Sequence, residues 1–178
     1  MDRVIHRFHS TTPVSPSGRY VGLTRLHDEN CTPLPGDVSE IIVVDMDTGA
    51  CMAVAETRGA DTQMGAHVQW GMDDSQLCYN DVDTETWNPF GIIINPFTGG
   101  KKILEGTIYT VSPDGKFAAS PCLKRTGITQ AGYGVIVPRE NIRFNNGAAD
   151  DDGVYITDSS TGEKNLWHLL KKLLEMPG

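Results

Sequence analysis

The chain has 178 residues, 39% of them hydrophobic, which is enough for one globular domain with a buried core. Its formal net charge of -8 argues against a nucleic-acid partner and against an anionic membrane surface, because both require a basic face. The 19 glycines and 10 prolines indicate many turns, which favours an all-β chain over a helical one.

Targeting signals and cysteine spacing narrow the class further. The first residues contain no apolar core of signal-peptide length, and no run reaches the roughly 18 apolar residues of a membrane span. We therefore predict a cytoplasmic protein without a membrane span, or a secreted protein if the N-terminus is trimmed. The four cysteines lack C-x-x-C spacing, so we predict no zinc ribbon and thiols that are reduced and mostly buried.

Two short patterns recur in chain order. The first is a Ser-Pro-Asp-Gly type of turn followed by a strand, in VSPSGRYVGLT (14–24), WGMDDSQLCYN (70–80) and VSPDGKFAAS (111–120). The second is a β-branched strand that ends in a Thr-Gly turn, in IIVVDMDTGA (41–50), GIIINPFTGGK (91–101) and GVYITDSSTGEK (153–164). Proline presets φ for the first turn position, and glycine accepts the positive φ that closes each turn.

Each repeat therefore predicts four antiparallel strands, which is the content of one propeller blade. The prediction is an all-β fold, a partial β-propeller of about three four-stranded blades at about 10–57, 66–106 and 107–172. Closed propellers have four to eight blades. Three blades suggest the N-terminal part of a longer propeller, or a ring completed by self-association through open blade edges.

The last repeat leads into NLWHLLKKLLEM (165–176), whose apolar spacing fits a short amphipathic helix, while the repeat itself predicts a strand for NLWHL. We predict a strand that runs into a short C-terminal helix.

The SPDG…DxxTG pattern resembles that of TolB-like propellers and of the related oligogalacturonate-lyase-like propellers. The resemblance implies a propeller fold over nearly the whole chain, but it implies little about activity, because propellers carry many unrelated functions. The pectate-degrading members hold a catalytic manganese with histidines and a glutamine.

The topology predicts where a site would lie. The SPDG and Thr-Gly turns fall at one end of each blade, and the longer connections at 25–40, 57–67, 81–90 and 124–152 fall at the other end. Long loops on a rigid scaffold commonly carry function, so we predict a site at the loop end.

Aromatic, amide and guanidinium groups in these connections suggest a ligand site. An aromatic ring packs on the apolar face of a sugar while polar groups bond its hydroxyls, and converging arginines would bind a uronate or a phosphate. The predicted ligand residues are Trp87, Tyr133, Arg139, Arg125, Arg58 and Gln63. The alternatives are that Trp87 and Tyr133 cover the core and that the arginines are scattered over the surface.

Histidine and carboxylate side chains in the same connections raise a metal hypothesis. His67, His27 and Asp28 could ligate a divalent cation such as manganese, and Asp150 to Asp152 could attract calcium, although no D-x-D-x-D-G spacing is present. The alternative is a set of solvated acidic loops with a hydrogen-bonded histidine.

The functional prediction is a binding scaffold whose loop end recognises a carbohydrate or a small anionic ligand. One alternative is a metal-dependent oligouronide lyase in which His67 and the loop arginines act on the substrate. A second is a protein–protein interaction platform. A nucleophile elbow, a Walker A loop and a dinucleotide fingerprint are not found in the sequence.

Overall fold

Three four-stranded antiparallel sheets make up the fold, which was obtained as a computed structural model. The structure describes residues 4–9, 11–28, 31–144, 147, 149 and 151–169, with side chains up to Trp167. In each sheet the four strands are neighbours in the order in which they occur along the chain. The all-β prediction and the count of three four-stranded units are confirmed.

The strand bounds follow the two recurring patterns. The first sheet holds β1 (Val4–Ile5), β2 (Tyr20–Arg25), β3 (Ser39–Asp45) and β4 (Cys51–Thr57). The second sheet holds β5 (Gln69–Trp70), β6 (Leu77–Asp83), β7 (Asn88–Ile94) and β8 (Lys101–Leu104). The third sheet holds β9 (Thr110–Val111), β10 (Phe117–Ser120), β11 (Gly153–Asp158) and β12 (Lys164–Leu169).

The sheets pack on one another in chain order and do not close into a ring over the described residues. Ile41 and Val43 of the first sheet pack against Leu77 and Tyr79 of the second in the largest core cluster. A second cluster joins the second and third sheets. β-branched and aromatic side chains dominate the first interface, as expected for strands that are covered by a neighbouring sheet.

Asn80 ties the second sheet to the segment that leads into the third. Its side chain is fully buried, donates from Nδ2 to the carbonyl of Ile108 at 2.8 Å and accepts from the Ile108 amide at 2.7 Å. The hydroxyl of Thr57, at the end of β4, donates to the Asn80 carbonyl at 2.6 Å. Buried backbone groups that no strand could pair are thereby satisfied.

Short turns collect at one end of the sheets and longer connections at the other, and we name these the turn end and the loop end. Three turns at the turn end share one design, in which a side-chain oxygen of Asp45, Asn95 or Asp158 accepts hydrogen bonds from the amides two and three residues later. A glycine with positive φ closes each of them. This is an Asx turn followed by a left-handed residue, and it explains the recurring Asp-x-x-Thr-Gly letters.

The same turn also occurs at the loop end, between β6 and β7. Asp83 accepts from the amides of Glu85 and Thr86, but Trp87 occupies the position that glycine holds elsewhere and has a φ of 55°. The connection therefore spans only residues 84–87, and the expected long loop over 81–90 is wrong. The sequence does not indicate this hairpin, because tryptophan stands at the position where a glycine normally indicates such a turn.

The loop end also contains one element that the repeats do not indicate. A short helix, α1 (Leu123–Thr129), and a single 3-10 turn at Arg139–Asn141 lie between β10 and β11. Leu123 packs with Val82, Val135 and Val137 in a third cluster, on which Trp87 also rests. This cluster gives the loop end a core of its own.

Two further expectations need comment. Only Cys78 is buried, while Cys31 and Cys51 are exposed and Cys122 is half-buried, so the prediction of mostly buried thiols is wrong. The predicted strand in NLWHL is confirmed by β12, whereas the predicted C-terminal helix lies outside the described residues. Within those residues, no helix has both the length and the apolar character needed to cross a membrane.

The aspartates of the turns make the free energy of unfolding depend on pH. Backbone hydrogen bonds from Glu85 and Thr86 lower the pKa of Asp83 below its ordinary value of 3.8, and hydrogen bonds from Ser160 and Thr161 lower the pKa of Asp158. A lowered folded-state pKa adds stability that is present above the unfolded value and is lost as the pH falls through the folded value. Stability should therefore decline below about pH 4.

An Asp83→Asn, Asp158→Asn double variant tests this expectation, since Asn95 fills the same role in the chain as it stands. The amide oxygen accepts the same hydrogen bonds without titrating. We expect the urea midpoint of the variant to fall less than that of the wild type between about pH 6 and about pH 2.5. Equal falls in the two proteins would show that these carboxylates do not set the acid response.

Candidate functional site

Tyr133 lies at the mouth of a groove at the loop end. The groove has a volume of about 240 Å³ and is lined by α1, by the segment after α1 and by the connections at 25–40 and 57–67. Its lining includes Thr32, Thr62, Lys124, Gly132, Tyr133 and Val135. We name it the Tyr133 groove. Tyr133 is half-buried, and its amide donates to the carbonyl of Gln130 at 3.2 Å. Apolar walls with a few hydroxyl and ammonium groups are typical of small-ligand sites.

The wall of the groove is held by contacts between distant parts of the chain. The carbonyl of Gly132 accepts from the Gln63 amide at 3.1 Å and from the Thr62 hydroxyl at 3.3 Å. Gly134, with a φ of 92°, lies so close to the carbonyl oxygen of Leu123 that a β-carbon there would collide with it. The two glycines of QAGYGV therefore serve backbone packing around the groove, since their close neighbours are protein groups.

The predicted ligand residues divide into three groups. Tyr133 lines the groove and Gln63 is exposed beside Gly132, so these two are brought together. Trp87 is half-buried in the loop-end core cluster, as the alternative reading expected. Arg139 is exposed, with its guanidinium 5.3 Å from the Phe144 ring centroid, and Arg58 is half-buried with its amide bonded to Asp81.

Arg125 is committed to carboxylates of its own chain. Its Nη1 lies 2.7 Å from Asp152 and 3.3 Å from Asp151, and Arg143 also pairs with Asp151. Burial opposes the charge of Arg125, but the hydrogen bonds that it donates to Asp152 and Asp151 outweigh this effect and raise the pKa of the guanidinium. The acidic run considered for calcium is thus engaged by arginines at Asp151 and Asp152, while Asp150 lies outside the described residues.

The residues of the metal hypothesis lie in different surroundings. His67 is fully buried, with Nε2 3.3 Å from an Asp61 carboxylate oxygen, whereas His27 and Asp28 are exposed. The Cys31 thiol donates a hydrogen bond to Asp28, which raises the pKa of the thiol. Across the ranges that the structure covers, no three His, Cys, Asp or Glu side chains converge in a way that could hold a metal ion.

A largely buried polar cluster lies at the loop end, and sequence reasoning singled out only one of its members, His67. It consists of Arg7, Asp61, His67 and Tyr109, and we name it the Arg7 cluster. The Arg7 guanidinium lies 4.7 Å from the Tyr109 ring centroid, and the His67 and Tyr109 rings are 5.6 Å apart. Burial lowers the pKa of Arg7, while Tyr109 and Asp61 partly offset the effect. His67 has a φ of 58°, a strained value of the kind that collects at functional sites.

The signal for this cluster was weak in the sequence. Arg7 lies in a stretch that matches neither recurring pattern. Tyr109 lies just before the turn at 111–115, and the pattern there predicts the turn but assigns no role to Tyr109. His67 is set apart by its positive φ, and a backbone angle cannot be read from the sequence.

Among solved structures, the chain is similar to the isopeptidase AtxE2 in its apo form. The similarity covers 99% of this chain and 32% of that one, with a TM-score of 0.53 and 15% sequence identity. The match is one of fold alone. No protein-family model matches the chain, and no curated protein does either.

This result overturns the resemblance to TolB-like and oligogalacturonate-lyase-like propellers. The similar structure is an isopeptidase, no family model supports the resemblance, and the three sheets do not close. The SPDG and DxxTG letters encode turn chemistry that any antiparallel meander can use, so they specify hairpins and not a family. The lyase alternative loses the resemblance on which it was based.

Proposed function

We propose that the loop end of this chain is a ligand-recognition surface and that the Tyr133 groove is its centre. The observation that carries the proposal is the groove itself, where a half-buried aromatic ring lies beside hydroxyl and ammonium groups on a braced wall. Bracing matters because a preorganised site loses less entropy when its ligand binds. A carbohydrate or a small anionic molecule suits this combination of groups.

We infer that the three sheets are blades of a propeller, with the groove at the loop end of that scaffold. Support comes from the meander order within each sheet and from the packing of neighbouring sheets through continuous apolar cores. On this view the first blade includes β1 and begins before residue 10, where the sequence boundary was placed.

A second candidate is recognition of a peptide or of a protein partner. It is favoured by the fold shared with an isopeptidase, a protein whose name denotes action on an isopeptide bond. The groove would then hold one side chain of an extended peptide. Because only the fold is shared, the candidate rests on the shape and chemistry of the groove in this chain.

Substitution of Tyr133 by alanine tests the proposed function. We expect Tyr133→Ala to weaken binding of a groove ligand about tenfold, because loss of an aromatic contact and its buried area amounts to about 1.4 kcal/mol. The measurement is titration calorimetry or ligand-detected NMR with a panel of neutral and acidic monosaccharides and blocked dipeptides.

Phe97→Ala is the matched control, because Phe97 is a 47% exposed aromatic residue in a turn-end loop and touches Tyr20 instead of the groove. The control should bind like the wild type. Equal weakening in both variants, or ligand shifts in NMR spectra confined to turn-end residues, would contradict a site at the groove.

A further inference from the structure

Arg7 is a buried cation with uncommitted hydrogen-bond donors. Only 4% of the residue is exposed, and its Nε and Nη1 have no hydrogen-bond partner among the described residues. A guanidinium carries five N–H donors, and leaving them unpaired in the protein interior is unfavourable. Such a group is well suited to accept an anion.

The nearest carboxylate does not take up these donors. Oδ1 of Asp61 accepts from the amides of Gln63 at 2.9 Å and Met64 at 2.5 Å, and Oδ2 faces Nε2 of His67. Asp61 thus attracts Arg7 through its charge, while its carboxylate oxygens are engaged by amides of its own loop and by His67. The other ring nitrogen of His67, Nδ1, is also buried without a partner in the described part of the chain.

Tyr109 forms the cover of the cluster. Its ring lies on the Arg7 guanidinium, 4.7 Å away, and at 37% exposure Tyr109 is the most solvent-accessible member of the cluster. Rotation of one partly exposed side chain would give a ligand group access to Arg7. Tyr109 also forms a hydrogen bond with Arg7, and an ionic hydrogen bond from Arg7 to a ligand can replace both that bond and the cation–π contact.

The Arg7 cluster and the Tyr133 groove are connected through residues that are neighbours in sequence. Phe8, next to Arg7 in sequence, lies 6.3 Å from the Tyr133 ring between centroids. Thr62, which lines the groove, is next to Asp61 of the cluster. A ligand that extends from Tyr133 past Phe8 and Thr62 would approach the cluster.

We propose that Arg7 binds a carboxylate group of the ligand that occupies the Tyr133 groove, with Tyr109 moving aside and His67 Nδ1 as a neighbouring polar contact. The inference rests on the proposed function and names the ligand class. A singly charged carboxylate is favoured over a doubly charged phosphate because Asp61 already places one negative charge beside Arg7. The carboxylate could belong to a uronic acid or to a peptide C-terminus.

Formate provides a test that does not depend on the rest of the ligand. The Nε–H proton of Arg7 is followed by NMR while sodium formate is added, with sodium chloride at equal ionic strength as reference. We expect a saturable shift of this signal in the wild type and stronger binding in Tyr109→Ala, where the cover is absent. Absence of a formate-specific shift in both proteins would overturn the inference and leave the proposed function standing.

Paired probes then identify the source of the carboxylate. Galacturonate is compared with galactose, and a blocked dipeptide with a free C-terminus is compared with its amide. For one pair, we expect the acidic member to bind the wild type about tenfold more tightly, and Arg7→Gln to remove this preference. Retention of the preference in Arg7→Gln would refute the role of Arg7.

Two variants keep this test interpretable. Arg143→Gln removes an exposed arginine of the same loop end that does not line the groove, and it should preserve the preference. Arg7→Lys keeps the charge with fewer donors and should keep part of the preference if Arg7→Gln folds poorly. Loss of all binding in Tyr133→Ala, with the formate shift intact, would separate failure of the groove from failure of the cation.

Discussion

Replacement of Asn80 by leucine is expected to destabilise the chain by about 3 kcal/mol, because two buried backbone groups of Ile108 lose their partners. Leucine keeps most of the bulk, so the loss reports on the hydrogen bonds at 2.7 and 2.8 Å and not on a cavity. Both residues are fully buried, and water cannot replace the missing partner without disturbing the packing. Urea unfolding followed by circular dichroism measures the change.

Asn88→Leu is the matched control for this substitution. Asn88 starts β7 in the same sheet but is exposed, and its side chain accepts one hydrogen bond from Lys124 at 3.2 Å. The change should be within about 0.5 kcal/mol of zero. If Asn80→Leu costs as little as the control, Ile108 has found other partners and the bridge is not a major support of the fold.

Gly134→Ala is expected to cost about 3 kcal/mol and to disrupt the Tyr133 groove. Two penalties combine there: a φ of 92° strains any residue with a β-carbon, and that atom would collide with the Leu123 carbonyl oxygen. The segment after α1 must move away from the helix, and Tyr133 moves with it. Unfolding experiments and tyrosine fluorescence in native buffer measure the two effects.

Gly49→Ala separates the two penalties. Gly49 has a φ of 72° in a turn-end hairpin, and nothing lies within 4 Å of the position that a β-carbon would take. Its substitution should therefore carry only the conformational cost of about 1 kcal/mol and leave tyrosine fluorescence unchanged. Equal losses in both variants would mean that the close approach to Leu123 contributes nothing.

Much of the sheet structure could be predicted from the sequence, and the reason is visible in the turns. Asp45, Asn95 and Asp158 cap their turns through contacts that span only two or three residues, so the letters alone encode the hairpins. The hairpin at Asp83 cannot be predicted from the same pattern, because Trp87 stands where glycine is expected. The local turn was the same, but its usual signal was missing.

The candidate site was less accessible to prediction because it depends on contacts between remote residues. The sequence places Tyr133 in a loop-end segment, yet nothing in the sequence indicates that Phe8 lies beside it. Arg125 has the residue type of a ligand donor but is paired with carboxylates 26 and 27 residues later. Arg7 cannot be selected from the sequence, because its burial and its unpaired nitrogens are properties of the folded chain.

The second sheet contributes to all three apolar clusters of the described chain, through Leu77, Cys78 and Val82 of β6. The first and third sheets each contribute to one of these clusters and share none. The arrangement is a short linear array in which each unit is stabilised by its neighbours. Thermodynamic coupling should therefore pass through the middle sheet. The changes in unfolding free energy caused by core substitutions in the first and third sheets should add, whereas a substitution in β6 should alter the effect of a substitution in either outer sheet.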